Sequence, residues 1–142
     1  MTRPAALSAS RIFVNLPVQD LKKSLEFFGR LGFTFNPQFT DDTATCMIIG
    51  ETMFAMLLTR EKFGSFTPYP LVDAHRNTEV LVALQFDSRA QVDDILQKAL
   101  AAGGRDFWPV EDHGWMYGRA FQDLDGHIWE LFWMDPAAMP QQ

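Results

Sequence analysis

Apolar and polar positions alternate with period two at the start of the chain. Over residues 12–18, Val14, Leu16 and Val18 fall on one face of an extended segment and Phe13, Asn15 and Pro17 on the other. Pro17, without an N–H to give, marks that strand's end or a sheet edge. The period then changes. Asp20 is suited to cap a helix over about Leu21 to Leu31, where Leu21, Leu25 and Phe28 recur at helical spacing and Gly32 supplies the stop. Three short β-prone runs follow, near 33–39, 43–49 and 53–59, parted by the turn-forming Thr40-Asp41-Asp42 and Gly50-Glu51. This first unit reads as βαβββ.

Residues 60–78 show no sustained period and contain Gly64, Pro68 and Pro70, so they read as a connection with room for one helical turn. The pattern then restarts. Val80, Val82, Leu84 and Phe86 alternate on a strand, and Ser88 with Gln91 makes a capping box before a helix carrying Val92, Ile95, Leu96, Ala99 and Leu100. Gly103-Gly104 ends it. Short strands are expected near 105–108, 116–122 and 127–133, with Asp123-Leu124-Asp125-Gly126 as the turn between the last two. Aligning the caps Asp20 and Ser88 gives an offset of 68 residues, which sets Val14 on Val82, Leu16 on Leu84 and Phe28 on Leu96. The repeat is one of pattern, not of letters. The expected organisation is a flexible N-terminus over 1–9, a first module over 10–62, a linker over 63–78, a second module over 79–135 and a C-terminal tail over 136–142.

Composition narrows the partners. At 142 residues the chain can bury one core, and a net charge of −6 without a Lys/Arg cluster disfavours phosphate backbones and anionic membranes. No stretch approaches the roughly 18 apolar residues of a membrane span, and the first residues lack a signal-peptide core, so a cytoplasmic protein is expected. The single Cys46 lies in the apolar run 45–49, where a buried hydrophobe is the ordinary role, and a lone cysteine cannot form an internal disulfide or a CxxC site.

Two segments carry a resemblance. Val18-Gln19-Asp20-Leu21-Lys22-Lys23-Ser24-Leu25-Glu26-Phe27-Phe28 with Leu31-Gly32-Phe33 resembles the opening strand and helix of the vicinal oxygen chelate superfamily, the group of glyoxalases, bleomycin resistance proteins and extradiol dioxygenases. The run from Gly118 through Asp123-Leu124-Asp125-Gly126-His127-Ile128-Trp129-Glu130-Leu131 resembles its closing hairpin, with Leu124 where proline is commoner. The resemblance implies an α+β fold in which two βαβββ modules form a curved, mostly antiparallel eight-stranded sheet with a cup and helices on the outer face, and a homodimer. In metal-dependent members, His, Gln or Glu side chains reach into the cup from the first and fourth strand of each module. Those positions fall here on Phe13, Leu57 (or Met56 in the shifted register), Leu81 and Glu130, and three of them are apolar. Phe and Leu offer a divalent cation no donor, so no metal cofactor is expected. The alternative is a rebuilt site for Zn, Mn, Fe or Ni from Glu130, Glu79 and His113.

On its strand Glu130 shares a face with Ile128 and Phe132, and Arg119 on the adjacent strand is a candidate partner. Asn15 would reach the cup beside Phe13, while Trp115 and Tyr117 flank a glycine-containing loop of the kind that borders binding sites. The expected ligand-binding set is thus Phe13, Asn15, Leu57, Leu81, Trp115, Tyr117, Arg119 and Glu130, with Glu130 and His113 as catalytic candidates. Two functional classes follow. One is a metal-free member binding a small apolar or aromatic, possibly cationic, molecule; the other is a metal-dependent lyase, isomerase or ring-cleaving dioxygenase, with metal-free acid/base work by Glu130 and His113 as a third form of chemistry.

Overall fold

A computed structural model describes residues 5–138, so the outer parts of the expected N-terminus (1–4) and tail (139–142) lie outside the described residues. The first half runs β1 (Ile12–Val18), α1 (Leu21–Leu31), β2 (Thr34–Asn36), β3 (Ala44–Ile48) and β4 (Met53–Thr59). A short α2 (Arg60–Gly64) opens the connection. The second half runs β5 (Leu81–Gln85), α3 (Arg89–Ala101), β6 (Arg105–Asp112), β7 (Met116–Gln122) and β8 (Ile128–Met134). The helix signals act as read: the Asp20 carboxylate accepts from the Lys23 amide, Ser88 Oγ accepts from the Gln91 amide, and Gly32 closes α1 at φ 111°.

Each half forms a mixed four-stranded sheet, ordered β1-β4-β3-β2 and β5-β8-β7-β6, with β1 parallel to β4 and β5 parallel to β8. The eight strands therefore do not make one continuous sheet, which corrects that part of the expectation. Pro17 at the end of edge strand β1 has no N–H for a further ladder, and its carbonyl instead accepts from His127 Nε2 at 2.7 Å. The β6–β7 hairpin also differs, because β6 continues to Asp112 through two register shifts where a short strand over 105–108 is expected.

Both sheets turn one face toward a common core. Leu16, Val18, Met47, Ala55 and Leu57 of the first, and Phe121, Trp129 and Leu131 of the second, meet Phe27, Phe28 and Leu31 of α1 and Val92, Leu96 and Ala99 of α3. The seam is aromatic, with Phe28 at 5.2 Å from Trp129 and 4.9 Å from Phe27. One carboxylate ties this seam to the turn beside it. Asp123, 4% exposed, accepts from Trp129 Nε1 at 3.0 Å and from the amides of Asp125 and His127. Burial pushes its carboxyl above the usual range, against the opposing pull of His127 and these bonds. Asp125 completes the link by accepting from the Gln19 amide at 2.7 Å. Cys46 is 1% exposed, and burial raises its thiol, as expected of a cysteine used as a small hydrophobe.

Because the two halves share this core, they are expected to unfold together. Phe28→Ala should lower stability by about 3–5 kcal/mol in a single transition, followed by tryptophan fluorescence and far-UV circular dichroism. Two separated transitions in the parent protein would contradict the shared core.

Candidate functional site

The face of the second sheet turned away from the helices carries Leu81 and Ala83 of β5, Met116, Gly118 and Ala120 of β7, and Ile128, Glu130, Phe132 and Met134 of β8. Phe107, Trp108, Pro109 and Glu111 of β6, with Trp115 at its turn, line the other side of an open cavity of about 490 Å³. Strand register explains why the carboxylate is available there. Glu130 lies between Ala83 on β5 and Ala120 on β7, and neither methyl group competes for it. Half-buried, it has no hydrogen-bond or ion-pair partner among the described residues, in a lining that is otherwise mostly apolar.

The expected site residues divide. Leu81, Trp115 and Glu130 come together on this cavity. Arg119 borders it, but its guanidinium is engaged on the helix-covered face, at 3.1 Å from Asp106 and 3.8 Å from Asp93, so the expected pairing with Glu130 is corrected. Adjacent residues on a strand point to opposite faces, and Arg119 stands opposite Leu131, one place out of phase with Glu130. Tyr117 is out of phase in the same way: its hydroxyl donates to Asp93, a bond that, with burial, raises the phenol above its ordinary value. Leu57 is also corrected, being fully buried in the core; Met56, paired with Asn15, shares the face of Phe13. Phe13 stacks on Phe54 at 4.9 Å on the bare face of the first sheet, and Asn15 lines a different cavity; neither joins Glu130 within the chain.

The alternative metal set is not assembled. Among the described residues no group of three or more His, Cys, Asp or Glu side chains could hold a metal ion. Glu79 lines the second cavity, and His113 sits at the β6–β7 turn, 57% exposed, 3.8 Å from Glu111 and stacked toward Trp115. With Phe13, Met56 and Leu81 at the positions that would supply donors, the residues present do not fit a divalent cation.

Sequence reasoning missed most of the wall. Phe107 and Trp108, which no periodicity singles out, lie 37% and 57% exposed where the register of β6 against β7 shifts. The wall is held from behind by Arg89, the first residue of α3. Its guanidinium makes two 2.8 Å bonds to Asp112 and a third, also 2.8 Å, to the Gly114 carbonyl, while lying over the rings of Tyr117 and Trp133 at 5.0 and 5.2 Å. These bonds fix the turn that carries Trp115.

A family model described as bleomycin resistance protein-like N-terminal matches residues 11–50. No curated protein matches the chain. A solved hypothetical protein from S. aureus is 30% identical over 88% of this chain and 94% of its own, with a TM-score of 0.74. A glyoxalase-related enzyme from Fulvimarina pelagi (19% identity, 89% of this chain and 88% of its own, TM-score 0.75) shares the fold. So does a bleomycin resistance determinant encoded on the transposon Tn5 (18% identity, 89% and 99%, TM-score 0.62).

The Arg89 clamp has a pH signature. Hydrogen bonds from Arg89 and the Gly114 amide hold the Asp112 carboxyl down to about 2. A carboxyl depressed in the folded state adds stability above its ordinary pKa, and that contribution disappears as pH falls from there toward 2. Carbon-detected NMR of Asp112 should show this low midpoint, and Arg89→Gln should return it toward the ordinary carboxylate range and broaden the Trp115 indole resonance. An unmoved midpoint would refute the clamp.

Proposed function

The chain belongs to the vicinal oxygen chelate superfamily, the glyoxalase, bleomycin resistance protein and dioxygenase group, and on that footing we propose that it binds a small aromatic or apolar cation on the bare face of its second sheet, without a metal ion. The observation that carries the reading is Glu130, a carboxylate without a partner among the described residues, set in a largely apolar cavity of about 490 Å³. An apolar body would be removed from water against Leu81, Ile128, Phe132 and Met134, at roughly 25 cal/mol per Å² of buried surface. Trp108 and Trp115 add aromatic lining able to attract positive charge, and Glu130 would supply a charge-assisted contact. An anionic ligand would meet Glu130 and Glu111 while the Arg119 guanidinium is turned away.

The donor set of this cavity does not fit a metal ion, and His113 does not line it, so Glu130 has no acid/base partner there. The proposal extends to a homodimer in which the bare face of the first sheet, where Phe13 is 48% exposed and stacked on Phe54, covers the partner's cavity. Net charge −6 favours a small-molecule ligand over nucleic acid, and among the described residues no helix is long and apolar enough to cross a membrane.

Benzyltrimethylammonium is a suitable probe. It should raise the melting temperature and quench Trp115 fluorescence with or without chelator, and Glu130→Gln should weaken binding about tenfold, or about 1.4 kcal/mol. The reading fails if elemental analysis of chelator-free protein finds about one metal per chain that is lost in Glu130→Gln.

Solution mass should correspond to two chains. Phe13→Glu, placing charge on the bare face of the first sheet, should yield monomers. A parent protein that remains monomeric at 100 μM would refute the dimer without touching the ligand proposal.

A further inference from the structure

The connection between the modules has a built form that the fold alone does not require. Asp73 folds residues 73–77 into a turn, its carboxylate accepting from the His75 amide at 2.9 Å and its carbonyl from the amides of Arg76 and Asn77 at 3.0 Å. That turn is pressed onto the β7–β8 hairpin at Gly126. A Cβ there would come within 2.7 Å of the His75 nitrogen, and the backbone holds φ +88°, so only glycine fits. On the other side the Arg60 guanidinium reaches the Val72 carbonyl at 3.4 Å. Between these anchors the strap stands off the end of β1 and the start of β8, leaving a cavity of about 520 Å³.

Its lining is selective in charge. Phe63, Tyr69, Leu71 and Ile128 give apolar and aromatic walls, and Asn15 and Thr67 present groups able to accept hydrogen bonds. No Lys or Arg lines it. The sole carboxylate is Glu79, which has no hydrogen-bond or ion-pair partner among the described residues. His127 Nε2 is committed to the Pro17 carbonyl, so the cavity offers too few free donor atoms for a metal ion. An anion would find one carboxylate and no cation in a chain of net charge −6.

We propose that the cavity beneath the 65–80 strap is a second small-molecule site, separate from the Glu130 cavity, for a protonated amine carrying an aromatic or alkyl body. The ammonium group faces Glu79 and Asn15, and the body packs among Phe63, Tyr69 and Leu71. The site stands whether or not the Glu130 cavity binds a ligand, since of all its lining residues only Ile128 is shared.

The test is an amide-resolved NMR titration of the full chain with phenethylammonium, beside 2-phenylethanol and 3-phenylpropionate as its neutral and anionic counterparts. Saturable shifts are expected at Ala74, Asn77 and Gly126, about tenfold weaker in Glu79→Gln and unchanged in Glu130→Gln. Leu71→Trp, which fills the cavity and keeps the charge, should abolish them. The proposal is overturned if these amides do not respond, if 3-phenylpropionate binds as tightly as the amine, or if Glu79→Gln binds like the parent. It is equally overturned if the same amides shift on simple dilution, which would mean that a second copy of the chain occupies the cavity.

Discussion

Burial of Trp129 against Phe28 is the contact on which the rest of the molecule depends. A βαβββ unit has one helix to cover one sheet face, too little apolar surface to be stable by itself, and here the two units solve that shortage jointly. Phe28 reaches from the first unit's helix to the second unit's closing strand, while Asp123 receives the Trp129 indole N–H and ties it to the hairpin turn. The Asp123 carboxylate is costly to bury and is kept because three donors converge on it. Turn and core are in this way one construction.

The same arrangement determines where ligands can go. Once the helix-side faces are spent on the shared core, the opposite faces are bordered only in part, by the shifted β6 and the 65–80 strap, and side chains that alternate onto them are left partly open. Glu130 is tolerable on such a face because its strand neighbours are alanines and its carboxyl can be hydrated; in the core, one residue away, it would demand a partner. Phase along a strand thus separates two chemistries. Glu130 stays free in an apolar hollow, while Arg119 and Tyr117, one position out of step, are consumed by Asp93 and Asp106 behind it.

That distinction shows what could be read from the residues alone. Both helices, their caps, the strand alternation at Val14-Leu16-Val18 and the 123–126 turn are local signals and lie where they are expected. The placement of Glu130 with Ile128 and Phe132 followed from period two. Leu57, expected in the cup, lies in the core because counting to the fourth strand fixes a position only to within one residue, and one residue reverses the face. The pairing of Arg119 with Glu130 failed for the same reason, since proximity across adjacent strands does not give phase. Phe107 and Trp108 were illegible because bulges are a property of two strands together, and neither strand announces them.

Two hollows with a single unpartnered acid apiece raise the question of why either acid persists. Half-buried Glu130 loses hydration that a methionine or leucine would not need, whereas the exposed Glu79 keeps much of its water. Several carboxylates are partnered: Asp112 has Arg89, Asp106 has Arg119, Asp123 has the Trp129 indole and two amides. Glu130 and Glu79 have no such partner among the described residues, and each lines a concave surface that also carries aromatic side chains. A carboxylate without a partner in the fold, held in a concave surface among aromatic rings, is the feature on which the proposed cation sites rest.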